Sequence, residues 1–340
     1  MHILVFGKDG QLGKAFQSLF HAQLSALPYQ PAIEYIGRQE CDLTNATAIH
    51  AVLKKSQPNL IINTAAYTAV DQAEIEVDIA YAVNARAPEI MARFAAENQV
   101  TLLHYSTDYV FDGEKYGFYL EDDIRNPLGV YGKSKAAGEE AIVKMFSGST
   151  LGHSADEVTG QFAIFRTSWV YGAGGNFIRT ILRLAKERTE LKIIQDQYGV
   201  PTSADWLART SINVALNQAG ELKRFPSGIY HAVPAGETSW YGLASLAVQT
   251  ALEAGATFKL EVSAIKPIPT VLYPLPAARP MNSRMATDKL QALLALSDSH
   301  FAGSANSYNE ALKCLEFRQW QSLVQEYVLQ LVSDAATENK

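Results

Sequence analysis

The sequence predicts an α/β protein with a doubly wound parallel sheet. Over the first 170 residues, short apolar runs alternate with longer amphipathic segments, and a glycine-containing loop follows the first run. Strands that alternate with helices form βαβ units, and right-handed crossovers place helices on both faces of a parallel sheet. We therefore expect residues 1–170 to form a Rossmann-type domain and residues 171–340 mostly to form a smaller lobe.

Each predicted element rests on its local pattern. Short apolar or β-branched runs predict strands at 3–6, 33–36, 60–63, 100–105 and 162–165. Amphipathic or alanine-rich stretches predict helices at 11–21, 46–56, 75–98 and 131–146.

The pattern loosens beyond residue 170, where prolines interrupt it, five of them within 266–280. Helices are still predicted at 176–188, 239–254 and 317–332. The run 229–232 is expected to return to the main sheet as a strand, near 228–233. Segments 147–160 and about 297–309 resemble insertions, and we expect surface loops there.

Composition narrows the classes of function. The 340 residues carry a net charge of −6, which argues against a nucleic-acid partner because such a partner selects a basic face. Only Cys41 and Cys314 are present, so a reducing compartment fits. No signal-peptide pattern and no apolar run near the ~18 residues of a membrane span are found. We expect a cytoplasmic protein with no membrane partner, and no metal, since the histidines lack ligand spacing.

Three glycines predict a dinucleotide site. Gly7, Gly10 and Gly13 follow the first strand and open the first helix, with Gln11 and Leu12 between them. Glycine permits a tight turn and a close approach of backbone N–H groups to a pyrophosphate, which then faces the helix N-terminus. Three glycines alone also fit a plain strand-to-helix turn, but this position in the chain favours a dinucleotide.

The second strand predicts which dinucleotide binds. Where an acidic residue would hold a free ribose 2′-hydroxyl, the sequence places Gly37 and then Arg38. An arginine suits a 2′-phosphate, so we expect NADPH, with NADH possible; the alternative is that Arg38 is a solvated loop cation. Asp42 and Leu43 follow at a position suited to the edge and face of the adenine.

Three polar residues predict carbonyl reduction. Thr107 lies at the carboxyl edge of the fourth strand, where open α/β sheets bind ligands. Tyr131 and Lys135 are four residues apart, so a helix places both on one face. Tyr131 can donate the proton, a Lys135 cation can lower the pKa of that phenol, and Thr107 can hydrogen-bond the carbonyl oxygen. Lys135 can also anchor the nicotinamide ribose, and we expect Ser106 to be a bystander at the strand end.

Longer motifs carry a family resemblance that covers almost the whole chain. They are NTAAYTAVD at 63–71, HYSTDYVF at 104–111, NPL at 126–128, VYGKSK at 130–135, FRTSWVY at 165–171, DQYGVPT at 196–202 and RPMNSR at 279–284. These motifs resemble the extended short-chain dehydrogenase/reductase superfamily and, more closely, the dTDP-4-dehydrorhamnose reductase family. The resemblance implies reduction of the C4 ketone of dTDP-4-dehydro-β-L-rhamnose to dTDP-L-rhamnose, the last step of dTDP-rhamnose biosynthesis.

The resemblance also assigns further site residues. It implies cofactor contacts from the strand ends, at Ala65, Ala66, Tyr67 and Tyr105. It implies substrate contacts from Thr107, Asp108, Trp169, Arg279 and Arg284, with core packing the alternative for Trp169 and a solvated pair the alternative for the two arginines.

Two departures from the family pattern matter. Tyr67 stands where many members have histidine. Some members bridge a dimer through Mg²⁺ held by a helix glutamate, but here that stretch reads Lys-Ala-Phe at 14–16. We expect no such metal bridge, and a homodimer is left open.

Two other functions fit the same residues. One is reduction or epimerisation of another nucleotide sugar, since this fold serves both. The other is a non-catalytic NADP-binding regulatory subunit, because a regulatory protein of methionine adenosyltransferase looks similar. The glycan that would receive the rhamnose, such as a lipopolysaccharide, cannot be read from the sequence.

Overall fold

The computed structural model describes residues 1–23, 31–147, 160–217, 219–298 and 317–338. The insertions expected at 147–160 and about 297–309 fall largely outside these residues. The strands are β1 His2–Phe6, β2 Ala32–Ile36, β3 Leu60–Asn63, β4 Thr101–Thr107, β5 Gln161–Thr167, β6 Val170–Tyr171, β7 Leu191–Ile194, β8 Tyr198–Gly199, β9 Thr202–Ser203, β10 Gly228–His231, β11 Thr238–Ser239 and β12 Ile265–Ile268. The α-helices are α1 Gln11–Gln23, α2 Ala46–Ser56, α3 Val70–Ala73, α4 Val77–Tyr81, α5 Ala87–Glu97, α6 Val130–Phe146, α7 Phe177–Glu187, α8 Ala204–Ala215, α9 Trp240–Glu253, α10 Asp288–Asp298 and α11 Trp320–Glu338.

A six-stranded parallel sheet forms the centre of the molecule, in the order β2-β1-β3-β4-β5-β10. The predicted fold class is confirmed. The strand order reverses between β1 and β3, and such a switch point opens a crevice at the carboxyl ends of the strands. A ligand site is therefore expected next to the glycine loop that follows β1.

Both faces of the sheet are buried, as its continuous apolar strands predict. Alternate residues of each strand point to opposite faces, so Leu103 packs with Phe16 of α1 and Leu207 of α8. On the other face, Leu102 packs with Ile49 of α2 and Met91 of α5. All six are at most 1 % exposed, and each such side chain contributes about 1.5–3 kcal/mol to folding.

The second half of the chain surrounds the carboxyl edge of the sheet. Its segment Gly228–His231 pairs in parallel with β5, so the main sheet takes a strand from beyond residue 170. The division of the chain at residue 170 remains a prediction. Three two-stranded pairs join β7 with β12, β6 with β9, and β8 with β11. The β12 strand includes Pro267, which a strand at a sheet edge can accommodate.

The long helix predicted at 75–98 is interrupted. Ile75 lies in a turn and Glu76 outside any helix, α4 begins at Val77, and a π-helical turn, Ala82–Arg86, joins it to α5. The physical reason lies at Pro88 in the first turn of α5, since proline has no N–H to donate to the carbonyl four residues earlier. That carbonyl belongs to Asn84, and α6 packs against it: a Cβ at Gly138 would lie 2.1 Å from its oxygen.

Three helices were not predicted from the sequence: the short α3, α8 and α10. Nine of the twelve residues of α8 are buried, so its polar face is only a narrow stripe and helical periodicity is hard to recognise there. No helix in the described parts of the chain combines the length and apolar character that a membrane crossing demands.

Candidate active site

A cavity of about 580 Å³ lies along the carboxyl edge of the sheet, between the loops that follow β1 to β5. It is lined by all but one of the residues predicted to bind the cofactor: Gly7, Gly10, Gln11, Leu12, Arg38, Asp42, Leu43, Ala65, Ala66, Tyr67, Tyr105, Tyr131 and Lys135. The exception is Gly13. The structure thus brings the glycine loop and the tyrosine–lysine pair to the same cavity.

The glycine loop is closely packed against the loop after β3. Gly7 has a φ of +86°, which favours glycine, and a Cβ there would lie 2.6 Å from the backbone nitrogen of Ala65. A Cβ at Gly13 would lie 2.1 Å from the carbonyl oxygen of Gly7. Gly13 therefore acts by letting α1 approach the turn. The first turn of α1 carries no acidic residue, and its N–H groups without intrahelical partners suit an anion.

The opposite end of the cavity is lined by Arg38, Asp42 and Leu43. Asp42 accepts hydrogen bonds from the backbone and the hydroxyl of Thr44, both 2.9 Å long. These bonds, followed by the charge of Arg38, lower the pKa of Asp42. The nearby Glu40 carboxylate is engaged by Lys8 and by the backbone N–H of Gly37.

The cavity also presents polar atoms that suit a bound cofactor. The buried atoms Gln11 Oε1, Ser106 Oγ and Thr167 Oγ1 have no hydrogen-bond partner among the residues described here. Buried polar groups are normally paired, so these three fit a polar ligand. Ser106 lies at the strand end as predicted and also lines the cavity, and its interpretation as a bystander stays a prediction.

Helix α6 brings Tyr131 and Lys135 to the end of β4. It can approach because Gly132 has no side chain: a Cβ there would lie 2.1 Å from the carbonyl oxygen of Tyr109. The ring of Tyr109 packs edge-on against that of Tyr131, with centroids 5.4 Å apart. Lys135 Nζ donates to the carbonyl oxygen of Tyr105 over 2.5 Å.

The pKa of Tyr131 differs from the expected direction. Burial of the phenol raises it to about 12, against an opposing hydrogen bond with Thr107, whereas the sequence predicted a lower pKa through Lys135. The Lys135 nitrogen itself donates to the Tyr105 carbonyl on β4. Burial lowers the pKa of Lys135 to about 8, against the opposing charge of Glu139.

The π-helical turn ties the loop after β3 to α6. The Asn84 side chain accepts from the Tyr67 N–H over 2.8 Å and donates to the Tyr67 carbonyl over 3.1 Å. Its Nδ2 also donates to Ser134 Oγ over 3.0 Å, and that hydroxyl donates to the Tyr131 carbonyl. The hydroxyl of Tyr67 donates to Glu76. Asn84 therefore fixes the loop after β3 relative to α6.

Thr107 and Asp108 are buried together at the end of β4. Thr107 Oγ1 donates to Asp108 Oδ1 over 2.9 Å and accepts from the Tyr109 N–H over 3.2 Å. Burial raises the pKa of Asp108 to about 6, and hydrogen bonding with Ser283 and Thr107 opposes the rise. An ionised carboxylate at this position is therefore costly to the fold.

Trp169, two residues after the end of β5, is held in an unusual conformation. Its φ is +47°, and its ring stacks on Trp240 with centroids 3.8 Å apart. A Cβ at Gly199 would lie 2.7 Å from the Trp169 ring and 3.2 Å from Ser283 Cβ. A left-handed conformation at a non-glycine residue costs on the order of 1–3 kcal/mol and is often found at functional sites.

The two predicted substrate arginines are held by different carboxylates. Arg279 pairs with Asp71 over 2.8 Å, and its charge acts on Tyr109. Arg284 pairs with Glu237 over 3.1 Å. Each arginine side chain is 20 % exposed or less, so they are not a solvated pair. None of the five predicted substrate residues lines the 580 Å³ cavity.

An ion pair lies beneath α6. Arg166 and Glu139 form two hydrogen bonds of 2.9 and 2.8 Å, and both side chains are at most 1 % exposed. Arg125 approaches the same carboxylate at 3.4 Å. Within the described residues, no cluster of three or more His, Cys, Asp or Glu side chains could hold a metal.

Comparison with known proteins identifies the family. A family model described as the RmlD substrate binding domain matches residues 1–314. A dTDP-4-dehydrorhamnose reductase of Escherichia coli K12 is 41% identical over 301 residues, which cover 87% of this chain and 93% of that protein. The chain belongs to the dTDP-4-dehydrorhamnose reductase family. The resemblance drawn from the motifs is confirmed.

Solved structures of dTDP-4-dehydrorhamnose reductases share the whole fold. One from Clostridium acetobutylicum has a TM-score of 0.77 at 30% identity and covers 97% of this chain and 99% of its own. One from Bacillus anthracis, in complex with NADP, has a TM-score of 0.73 at 28% identity with the same coverage.

Four residues with contacts at or near the site were not predicted as site residues from the sequence. Ser106 and Thr167 both lie inside recognised motifs, and the two-residue alternation along β4 and β5 could have indicated their neighbours. Asn84 and Trp240 lie outside every motif. Only the tertiary structure reveals their contacts.

Proposed function

We propose that this chain reduces the C4 ketone of dTDP-4-dehydro-β-L-rhamnose to dTDP-L-rhamnose with NADPH. The observation that carries the proposal is the single cavity that joins the glycine loop to Tyr131 and Lys135. Its placement at the switch point of the sheet suits a dinucleotide. Family membership and the NADP complex of a relative support the cofactor.

The proposed roles follow from the geometry. Gly7, Gly10 and the first N–H groups of α1 would hold the pyrophosphate, and Arg38 would face the 2′-phosphate. When bound, the nicotinamide supplies the hydride that reduces the ketone carbon. Tyr131 donates its phenolic proton to the ketone oxygen, so that the carbonyl becomes an alcohol and the tyrosine a phenolate. Thr107 hydrogen-bonds the same oxygen.

The substrate contacts are proposed from the second cluster. Asp108 adjoins Thr107 at the end of β4, and Trp169 follows the end of β5, the strand that pairs with β4, so they can contact sugar hydroxyls and the ring face. Arg279, close to Tyr109, would release Asp71 and bind the diphosphate of the substrate. Arg284, from the same segment, would also contact the substrate. As part of this proposal, we expect the protein to be cytoplasmic, and a homodimer is possible. Sedimentation of the purified chain measures its assembly.

The test is oxidation of NADPH, followed by its absorbance, with the 4-dehydro sugar nucleotide as substrate. Tyr131→Phe should retain NADPH binding and lose at least about 100-fold in kcat, the usual contribution of a general acid. Tyr109→Phe is the matched control, because it keeps the neighbouring ring and should remain active. If a UDP-linked substrate is reduced instead, the chain is a reductase of another nucleotide sugar. Absence of any turnover would favour a regulatory subunit.

A further inference from the structure

Two buried polar side chains that the proposed reduction does not use lie behind Lys135. His104, on β4, places its Nε2 3.2 Å from Lys135 Nζ. Asn63, at the end of β3, places its Nδ2 3.1 Å from the other ring nitrogen, Nδ1 of His104. The three side chains are at most 1 % exposed, so they form a row of polar groups out of contact with solvent.

The backbone fixes the direction of hydrogen bonding in this row. Asn63 Oδ1 accepts from the backbone N–H of Ala65 over 3.2 Å, so the oxygen of the amide is already assigned. The amide nitrogen must then donate to Nδ1 of His104, which therefore carries a lone pair. A neutral imidazole has only one N–H, and it must be on Nε2, facing Lys135.

An ammonium group has no lone pair and can only donate. Two donors would therefore oppose each other if Lys135 were charged, whereas an uncharged amine can accept from Nε2 and still donate to the Tyr105 carbonyl. A charged Lys135 would require the imidazole proton to move to Nδ1, where it would face the NH₂ of Asn63.

We propose that His104, oriented by Asn63, is a positioning residue that directs an N–H at Lys135 and favours its uncharged form. An effect of His104 on catalysis rests on the proposed function, because the charge of Lys135 acts beside the proton donor Tyr131. On α6, the charged group acting on Lys135 is Glu139, which favours the ammonium but is shared with Arg166 and Arg125. On β4 the titratable group facing Lys135 is His104, which is neutral, and on β3 Asn63 carries no charge. Burial acts in the same direction as the proposed hydrogen bond.

A second buried histidine provides an internal reference with the opposite tautomer. His231 Nδ1 lies 3.0 Å from the Ala286 carbonyl oxygen, and its Nε2 lies 3.5 Å from Arg166 Nη1. The carbonyl only accepts and the guanidinium only donates, so the proton belongs on Nδ1. Burial lowers the pKa of both imidazoles, which keeps both neutral.

The first test is ¹⁵N NMR of the full chain with labelled histidine between pH 9 and 10, above the pKa of about 8 of Lys135, where the lysine is uncharged. His104→Gln and His231→Gln variants assign the two resonances. We expect the proton on Nε2 of His104 and on Nδ1 of His231. A proton on Nδ1 of His104, or a charged imidazole there, overturns the proposal whatever the enzymatic activity.

The second test measures the charge of Lys135, by titrating lysine labelled with ¹³C at Cε. Asn63→Asp should move the imidazole proton to Nδ1, because a carboxylate only accepts, and should raise the titration midpoint of Lys135 by about one pH unit or more. The added negative charge also contributes, so the same substitution is made in a His104→Leu background. A smaller rise there supports the role of His104, and an equal rise refutes it.

Neither test uses turnover, so their failure is distinct from failure of the proposed reduction. If Asn63→Asp does not fold, the tautomer of His104 in the unaltered chain decides alone. Lys135→Met removes the assigned resonance and identifies it in the spectra.

Discussion

Replacing Asp108 by asparagine should stabilise the protein at neutral pH. The carboxyl is 2 % exposed, and burial raises its pKa from the ordinary 3.8 to about 6. A carboxyl with a higher pKa in the folded state binds its proton more tightly there. The stability linked to that proton is complete below about pH 4 and is lost as the pH rises through 6.

The size of the effect follows from the pKa difference. One pKa unit corresponds to about 1.4 kcal/mol, so ionised Asp108 costs the fold on the order of 3 kcal/mol above pH 6. Asp108→Asn keeps an oxygen that can accept from Thr107 and removes the charge. Urea denaturation from pH 4 to 8 should show a gain in unfolding free energy that is near zero at pH 4 and approaches ~3 kcal/mol at pH 8.

Asp112 provides a control of opposite sign. Hydrogen bonds from the Glu114 N–H and the Tyr119 hydroxyl lower the pKa of its carboxyl, so its stabilising contribution is lost as the pH falls. Asp112→Asn should therefore destabilise the protein at neutral pH and matter less in acid. The reasoning is refuted if Asp108→Asn gives a gain independent of pH, or a loss at pH 8.

Three further substitutions test the packing and the cofactor site. Arg166→Met leaves Glu139 buried with only the more distant Arg125, and should lower the free energy of unfolding by about 3–5 kcal/mol. An added Glu139→Leu substitution should restore the free energy of unfolding, and an unchanged value in the single variant would contradict the prediction. Gly13→Ala forces a Cβ to within 2.1 Å of the Gly7 carbonyl, so thermal unfolding should begin at a lower temperature and NADPH should bind more weakly. Gly10→Ala is its control for stability, because the nearest contact there is an ordinary 3.4 Å. Arg38→Ala should raise the KM for NADPH about tenfold or more and leave the KM for NADH unchanged, because it removes a hydrogen bond to the 2′-phosphate and a hydrogen bond to a charged group contributes about 1.5–3 kcal/mol. Equal effects on both cofactors would show that Arg38 does not recognise the phosphate.

The sheet and the cofactor cavity were predictable because their signals are local. A strand buried on both faces must be largely apolar, as Leu60, Ile61 and Ile62 of β3 show, and the turn after β1 requires glycine at Gly7 for its φ of +86°. Parallel strands then bring their carboxyl ends to one edge, so residues far apart in sequence line one cavity. Periodicity and glycine spacing suffice for that inference.

Other features depend on contacts between distant segments. The pKa of Tyr131 could not be inferred from its spacing to Lys135, because the outcome depends on burial and on the Tyr105 carbonyl that engages the lysine. The stacking of Trp169 on Trp240 joins residues 71 positions apart, of which only Trp169 lies in a motif. The π-helical turn at 82–86 follows from Pro88, but its role in orienting Asn84 depends on the neighbouring α6.

The length of α6 is under tighter constraint than its composition. Tyr131, Lys135 and Glu139 recur every four residues along one face, and each meets a different fixed structure: the end of β4, the Tyr105 carbonyl and Arg166. Each helical residue turns the chain by about 100°, so one inserted or deleted residue between them would rotate at least one away from its partner. Surface positions of α6 can therefore vary freely by substitution, whereas insertions and deletions within 131–139 should be absent from active variants of this chain. A deletion scan across the helix, compared with one across an exposed loop such as 270–275, would measure that constraint.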